Sequence, residues 1–597
     1  MRPRRIAVVV VVLAALAAAA AIADQTVSVG SGRRFSTPLP LGVLGAIFGT
    51  EYAALGAALV LIFRRTGVIN FALPGTGLLA AELVGWLSSA HHTSYWSAVA
   101  LAVAAAALVS AALGQAINLR YRDAQAIHGT GVTLVTTIAL AAAFGFIASH
   151  LSAGIFQYPS PPGFPSFHID SLVVTGSFSA ILFLALPALV AVCAVDRFAP
   201  LRLAVPANWA AVGALAGLLM TFDFSTRGYA DGSAVEPTIR ILAVAAVAGF
   251  ESVPLAVVAG MSFGVAEQYV LWNWPLRSAT LWQTGALLVL AGLAWGIRTQ
   301  PPTFGIERLQ PQLGRVLPAF VVLGIGGAAA TSQTGRGSQV LIAGTIGFVL
   351  LAASFTAFGQ DWRINLAVPA FALAGVVAAH EVLGVSSNAL VAIACAAAAG
   401  GVSGLTVERV ALRLSGWNYV VTTLGVTVLG SALFGQLVAN GFERRRMTLF
   451  GLSVAELPGQ AWLVFGLAAF AILLAILILQ FTSVRMTHAL VGGALAGLGG
   501  FSYYTILSAF GVTTLPLSTA VTVAVIAIVG GSRTPVGAVL GTLLILALPT
   551  FVVSMTLLEY LGVAVSVLIL SVVTPNGLAR PILAARPDSG DLAQPVE

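Results

Sequence analysis

The chain has 597 residues, of which 58% are hydrophobic and only 8% charged, with a formal net charge of +7. Soluble domains carry about a quarter charged residues, so this composition excludes a soluble globular fold and describes a polytopic membrane protein. The sequence contains no Lys, so all 28 basic residues are Arg; a phosphate-binding loop needs its Lys, which excludes a Walker-type nucleotide site.

In chain order, Met1-Arg2-Pro3-Arg4-Arg5 precedes an apolar run to about Ala23. This is expected to be an uncleaved signal-anchor span within an N-terminal segment 1–40; a cleaved secretory signal is the alternative. Arg2, Arg4 and Arg5 put the N-terminus in the cytoplasm. A first unit, 41–298, is expected to hold spans at 41–63, 66–89 (broken), 96–118, 130–150, 173–195 and 205–221. A polar loop at 222–237 then precedes the hairpin 239–250/254–272 and a last span, 279–297. A Pro-rich loop, 158–165, follows the fourth span. Residues 299–315 read as a cytoplasmic linker. A second unit, 316–580, has spans near 316–331, 339–358, 364–384, 388–405, 418–438, 459–481, 488–508, 517–531, 536–553 and 558–574. The segment 581–597 is expected to be a disordered cytoplasmic tail. Alternating sides puts the Arg-bearing loops at 64–65, 120–122, 197–202 and 298 inside. Arg444-Arg445-Arg446 breaks this rule, because the count places it outside: either the count slips there or the cluster docks a partner.

Four landmarks recur in the same order. Ile69-Asn70-Phe71-Ala72-Leu73-Pro74 returns as Ile364-Asn365-Leu366-Ala367-Val368-Pro369, 295 residues later. Val135-Thr136-Thr137 returns as Val421-Thr422-Thr423. Gly213-Ala214-Leu215-Ala216-Gly217-Leu218 returns as Gly493-Ala494-Leu495-Ala496-Gly497-Leu498. Gly249, Pro254 and Gly260 return as Gly530, Pro535 and Gly541. The fold class is therefore all-α: a polytopic membrane protein of two parallel-repeat bundles of transmembrane helices with broken helices, related by an axis along the membrane normal.

Pro removes a backbone donor, and an Asn amide needs partners that lipid cannot give. Asn70, Pro74, Asn365 and Pro369 are thus expected to break their helices and line a solute pathway; a Pro kink with the Asn capping a neighbouring helix is the alternative. Among ionisable residues inside spans, Glu51 lies deepest and, with adjacent Tyr52, is the better pathway candidate. Glu267 is a further candidate, while Glu82 and Glu381 lie near outer ends, where simple exposure is as good an account. The small-residue runs at 213–217 and 493–497 read as close helix packing, and 249–254 and 530–535 as tight turns. Cys193 and Cys395 read as buried small apolar residues. No metal-ligand spacing, catalytic constellation, cofactor motif or nucleic-acid patch is present.

Gly49-Thr50-Glu51-Tyr52-Ala53-Ala54-Leu55-Gly56, Thr66-Gly67-Val68-Ile69-Asn70-Phe71-Ala72, Gly249 to Pro254 and Gly264-Val265-Ala266-Glu267 resemble branched-chain amino-acid ABC transporter permeases. So do Glu408-Arg409-Val410-Ala411-Leu412-Arg413, Ile528 to Gly541, Arg298-Thr299-Gln300-Pro301 and Thr574-Pro575-Asn576-Gly577-Leu578. The resemblance implies two permease units fused in one chain of a plasma-membrane importer. Its partners would be ABC ATPase subunits inside, a solute-binding protein outside, membrane lipid and a small-molecule solute, with no nucleotide site of its own. The family pattern has His-Gly after Asn-Phe-Ala, where this chain has Leu73 and Pro74. The family's cytoplasmic coupling loops are shortened here to 196–206 and 481–486, where Arg197, Arg202 and Arg485 are the expected ATPase-docking residues. That shortening motivates a second reading, an uncoupled channel or facilitator; a membrane enzyme or scaffold is the third.

Overall fold

The computed structural model describes residues 26–29, 33–66, 69–123, 158–170, 172–198, 205–227, 235–274, 277–294, 309–311, most of 347–357, 365–411, 417–439, 448–449, 452–453, 471, 485–510, 518–530, 535–542 and 583–585. The protein is a multi-pass helical membrane protein. Among the described residues, eight helices are long and apolar enough to cross a bilayer. The expected spans at 1–23, 130–150, 316–331 and 558–574, and 459–481 apart from Ala471, lie outside the described residues, as does the Arg444–Arg446 cluster.

The first unit contains α1 (Leu39–Thr66), α2 (Leu73–Ala90), α3 (Tyr95–Asp123), α4 (Gly176–Phe198), α5 (Val205–Arg227), α6 (Val235–Val247), α7 (Val253–Asn273) and α8 (Arg277–Ala294). The second contains α9 (Val368–Val385), α10 (Ala389–Val410), α11 (Trp417–Ala439), α12 (Arg485–Phe510), α13 (Ser518–Gly530) and α14 (Pro535–Thr542). Short antiparallel ribbons join β1 (Thr26–Val29) to β2 (Arg33–Ser36), β3 (Phe167–Ile169) to β4 (Leu172–Val174), and β6 (Thr448–Leu449) to β7 (Leu452–Ser453). A further ribbon joins β5 (Leu309–Pro311) to β8 (Leu583–Ala585). This last pairing corrects part of the expected disordered tail, since Leu583–Ala585 hydrogen-bonds to the segment between the units.

Helix α5 also outruns its expected span. Residues 222–227, read as loop from their polarity, continue the helix because Phe222 and Phe224 are buried. Phe222 meets Phe164 and Trp96, and the hydroxyls of Ser225 and Thr226 bond back to carbonyls three residues earlier.

One end of the bundle brings several basic residues together. Arg64 pairs with Asp196 near the end of α4. Arg65 donates from Nη1 to Asn208 Oδ1 in the first turn of α5, at 2.5 Å. Phe63 packs on Phe250 and Trp417, and Arg485 pairs with Glu408. At the opposite end, Asn273 brackets the backbone of Ser36, accepting from its N–H at 2.8 Å and donating to its carbonyl at 2.9 Å. Thr448 N–H donates to the Ser387 carbonyl at 2.6 Å.

The units repeat contact for contact, and small residues are the reason. In the first, Gly217 abuts Ala80 and Ala106, Gly213 abuts Ala106 and Ser110, and Gly77 abuts Met220. In the second, Gly497 abuts Gly375 and Gly400, Gly493 abuts Gly400 and Gly404, and Gly500 abuts Ala372. Each pair is the other shifted by the sequence offset of its helices, so α2, α3 and α5 pack as α9, α10 and α12 do. Small side chains allow backbones to approach until dispersion contacts form along both helices. Gly45 and Gly49 of α1 face Gly260 and Gly264 of α7 in the same manner.

Candidate functional site

Both broken helices are built alike. Asn70 and Asn365 are buried. Asn70 Oδ1 accepts from the N–H of Ala72 at 3.0 Å, and Asn365 Oδ1 from the N–H of Ala367 at 2.8 Å. Each side chain thus forms an Asx turn with the N–H of its own helix's N-cap residue, and does not cap a neighbouring helix. The helices begin at Leu73 and Val368, with Pro74 and Pro369 at the second helical position. There a missing N–H costs little, because first-turn donors have no intrahelical acceptor. The prolines therefore start α2 and α9 at the breaks and do not kink a continuous helix.

The second break is strapped to its neighbour. The Leu366 N–H donates to Thr423 Oγ1 at 3.1 Å, and Thr427 Oγ1 donates to the Leu366 carbonyl at 2.5 Å. Thr423 and Thr427 lie six and ten residues into α11, about 9 and 15 Å along its axis from Trp417. Leu366 thus sits well inside the bundle. Irregular backbone at such depth persists only where protein satisfies it or a cavity is lined, and two threonine hydroxyls satisfy both polar groups of Leu366. Among the described residues, Asn365 Nδ2 is buried without a hydrogen-bond acceptor. Thr423 belongs to a landmark that sequence order alone had identified; its counterpart Thr137 lies outside the described residues.

Buried ion pairs accompany the breaks. Tyr52 donates to Glu267 Oε2 at 2.8 Å, and Arg240 Nε meets Glu267 Oε1 at 2.7 Å. Arg240 also reaches Glu236, at 3.5 Å. This joins α1, α7 and α6 through charge that lipid would not tolerate unpaired. In the second unit Tyr419 donates to Glu408 Oε2 at 2.7 Å, and Arg485 pairs with the other oxygen.

Each sequence candidate has a definite place. Glu51 is buried on α1 beside Tyr52, and Tyr52 is held by Glu267. Asn70 with Pro74 and Asn365 with Pro369 open helices of different units, linked through the packing of α9 on α11, α11 on α8, α8 on α6 and α6 on α1. Glu82 is not an exposed end residue: it is 0% exposed and accepts from the Tyr158 hydroxyl at 2.5 Å. That tie raises the Tyr158 phenol above its usual range, first through burial and then through the Glu82 carboxylate. Glu381 is exposed, and Cys193 and Cys395 are half-buried free thiols, where full burial was expected.

Of the expected docking residues, Arg485 is held in an ion pair. Its guanidinium is engaged by Glu408 and is only 23% exposed. It closes α10 on α12 and does not present a free charge. Arg197 lies in the last turn of α4, and Arg202 is outside the described residues. Among the described residues no group of three or more His, Cys, Asp or Glu is placed to hold a metal ion. Sequence reasoning missed Arg240, Tyr419, Phe63 and Phe250. A signal for Phe250 existed, since its counterpart in the repeat is Gly531. Comparison with protein-family models, curated proteins and solved structures finds no match to this chain.

Proposed function

We propose that this chain is the transmembrane permease of an ABC importer in the plasma membrane, with two permease units fused and both termini cytoplasmic. It translocates branched-chain amino acids or similar small polar solutes. Separate ATPase subunits hydrolyse ATP, and an extracytoplasmic binding protein delivers solute. The observation that carries this reading is the pair of helix breaks, each with an Asn turn, repeated in two units that pack alike. Parallel repeats with discontinuous helices are a recurrent way of building a midplane solute site, and the ordered sequence resemblance names the class. Glu51 and the Asn70 and Asn365 breaks are the residues that would line the path. Uptake of radiolabelled leucine into proteoliposomes, with ATPase subunits and binding protein assembled, tests it. An assembled complex without ATP-dependent uptake, across the branched-chain and small polar amino acids, would sink it.

A second reading, an uncoupled facilitator, draws support from Arg485. Its charge is paired with Glu408 at already shortened loops. That reading expects solute flux in liposomes holding this chain alone.

A further inference from the structure

The turn between α6 and α7 holds a buried aromatic residue in a conformation that favours glycine. Gly249 has φ +64° and Phe250 φ +52°. The first is costless for Gly, whereas the second is an outlier for a bulky side chain. The turn is otherwise well made: Gly249 and Phe250 donate to the carbonyls of Ala246 and Ala245, at 2.8 and 3.0 Å. Ser252 Oγ accepts from Leu255 N–H at 3.3 Å to open α7. The corresponding sequence in the second unit is Gly530-Gly531-Ser532-Arg533-Thr534-Pro535, with glycine at the position of Phe250. A glycine would take φ +52° without the penalty that Phe250 carries. Such outliers persist only where the surroundings over-determine them.

The surroundings are specific. Phe250 is 0% exposed. Its ring lies 4.9 Å from that of Phe63, and Phe63 meets Trp417 edge-on at 6.2 Å. Phe250 belongs to the α6–α7 turn, Phe63 to the last turn of α1 and Trp417 to the first residue of α11, so the row crosses from one unit to the other. Two residues past Trp417, Tyr419 holds Glu408, which holds Arg485 at the start of α12.

We infer that Phe250, Phe63 and Trp417 form a rigid inter-unit relay: the strained turn sets the position of α11, and through it of α12, relative to the first unit. This rests on the reading of the two units as the moving halves of a permease. Spatial continuity alone does not demonstrate coupling, so the test measures the relation between units directly.

Spin labels on Pro254→Cys and Val410→Cys, both exposed positions, in a chain with Cys193→Ser and Cys395→Ser, report the distance between units. Phe250→Gly relieves the backbone and removes the first ring; Trp417→Leu leaves the turn intact and removes the last. Each is expected to widen the distance distribution at least twofold or shift its centre, and their effects on the thermal midpoint should be non-additive. A distribution unchanged in either variant overturns the relay. Should Phe250→Gly fail to fold, Trp417→Leu decides alone. The measurement needs neither solute nor ATPase. A parent complex assembled with ATPase subunits and binding protein that shows no ATP-dependent uptake sinks the permease reading while the distances still decide the relay, whereas unchanged distances with normal uptake sink the relay alone.

Discussion

Thr427 donates to the carbonyl of Leu366 at 2.5 Å, and Thr423 accepts from the N–H of the same residue at 3.1 Å. Two hydroxyls one helical turn apart thereby satisfy both polar groups of a residue without a helical ladder. Replacing Thr423 with Val keeps its shape and leaves the buried Leu366 N–H unpaired. The expected loss is about 1–3 kcal/mol, read from denaturant unfolding in detergent. Thr423→Ser should restore most of it. If Thr423→Val is neutral, the strap does not hold the break.

Asn365 separates the turn from transport. Asn365→Asp keeps the oxygen that accepts from Ala367 N–H but replaces the unpaired Nδ2 donor with an acceptor. A carboxyl buried here without a cation costs stability or stays protonated, so the loss should exceed the roughly 1 kcal/mol typical of a lost cap, while uptake is lost. Asn365→Leu should lose both the turn and uptake while leaving expression intact, as should Asn70→Leu. Full uptake by Asn365→Asp would show that the amide nitrogen has no part in the path.

Equivalent glycines should differ in tolerance. A Cβ on Gly497 would meet the backbone carbonyl of Ala396, which cannot move without shifting α10. On Gly217 it would meet the methyl of Ala106 at 3.0 Å. Overpacking costs about 1–3 kcal/mol, so Gly497→Ala should fall at the upper end and Gly217→Ala below it. Thermal midpoints of the two variants check the order.

Arg485→Gln should destabilise the protein, since it leaves Glu408 buried with only Tyr419 as donor. The cost is expected at about 1–3 kcal/mol, since Arg485 is partly exposed. A docking residue would instead weaken ATPase binding at unchanged stability. Measuring both in Arg485→Gln, with Glu408→Gln as the companion, distinguishes them.

Tyr158 predicts behaviour in alkali. In the unfolded chain it ionises near pH 10; in the folded protein burial and Glu82 hold it higher. The folded state therefore favours the neutral phenol, and the stability this contributes is complete below about pH 10 and is lost as pH rises above it. Tyr158→Phe should flatten the decline in thermal midpoint between neutral and alkaline buffer. An unaltered slope would assign the decline to other groups.

The sequence by itself determined the membrane class, the recurrence of the helix-packing motifs and the sites of both breaks. These rest on signals that need no third dimension: apolar length and recurrence of Asn–Pro and Gly-rich runs in a fixed order. Helix starts at Leu73 and Val368 were legible because Asn and Pro act on their own backbone within a few residues. What the sequence alone left undecided was the partner of each buried polar group. Glu82 looked exposed until Tyr158, 76 residues away, covered it, and Arg485 looked free until Glu408, 77 residues away, engaged it. Loop polarity at 222–227 gave way to the burial of Phe222 and Phe224. Charge and hydropathy describe a residue alone, whereas burial and pairing belong to helices brought together. Only the tertiary structure decides which carboxylate meets which cation, and why a phenylalanine stands at Phe250 where the repeat has a glycine.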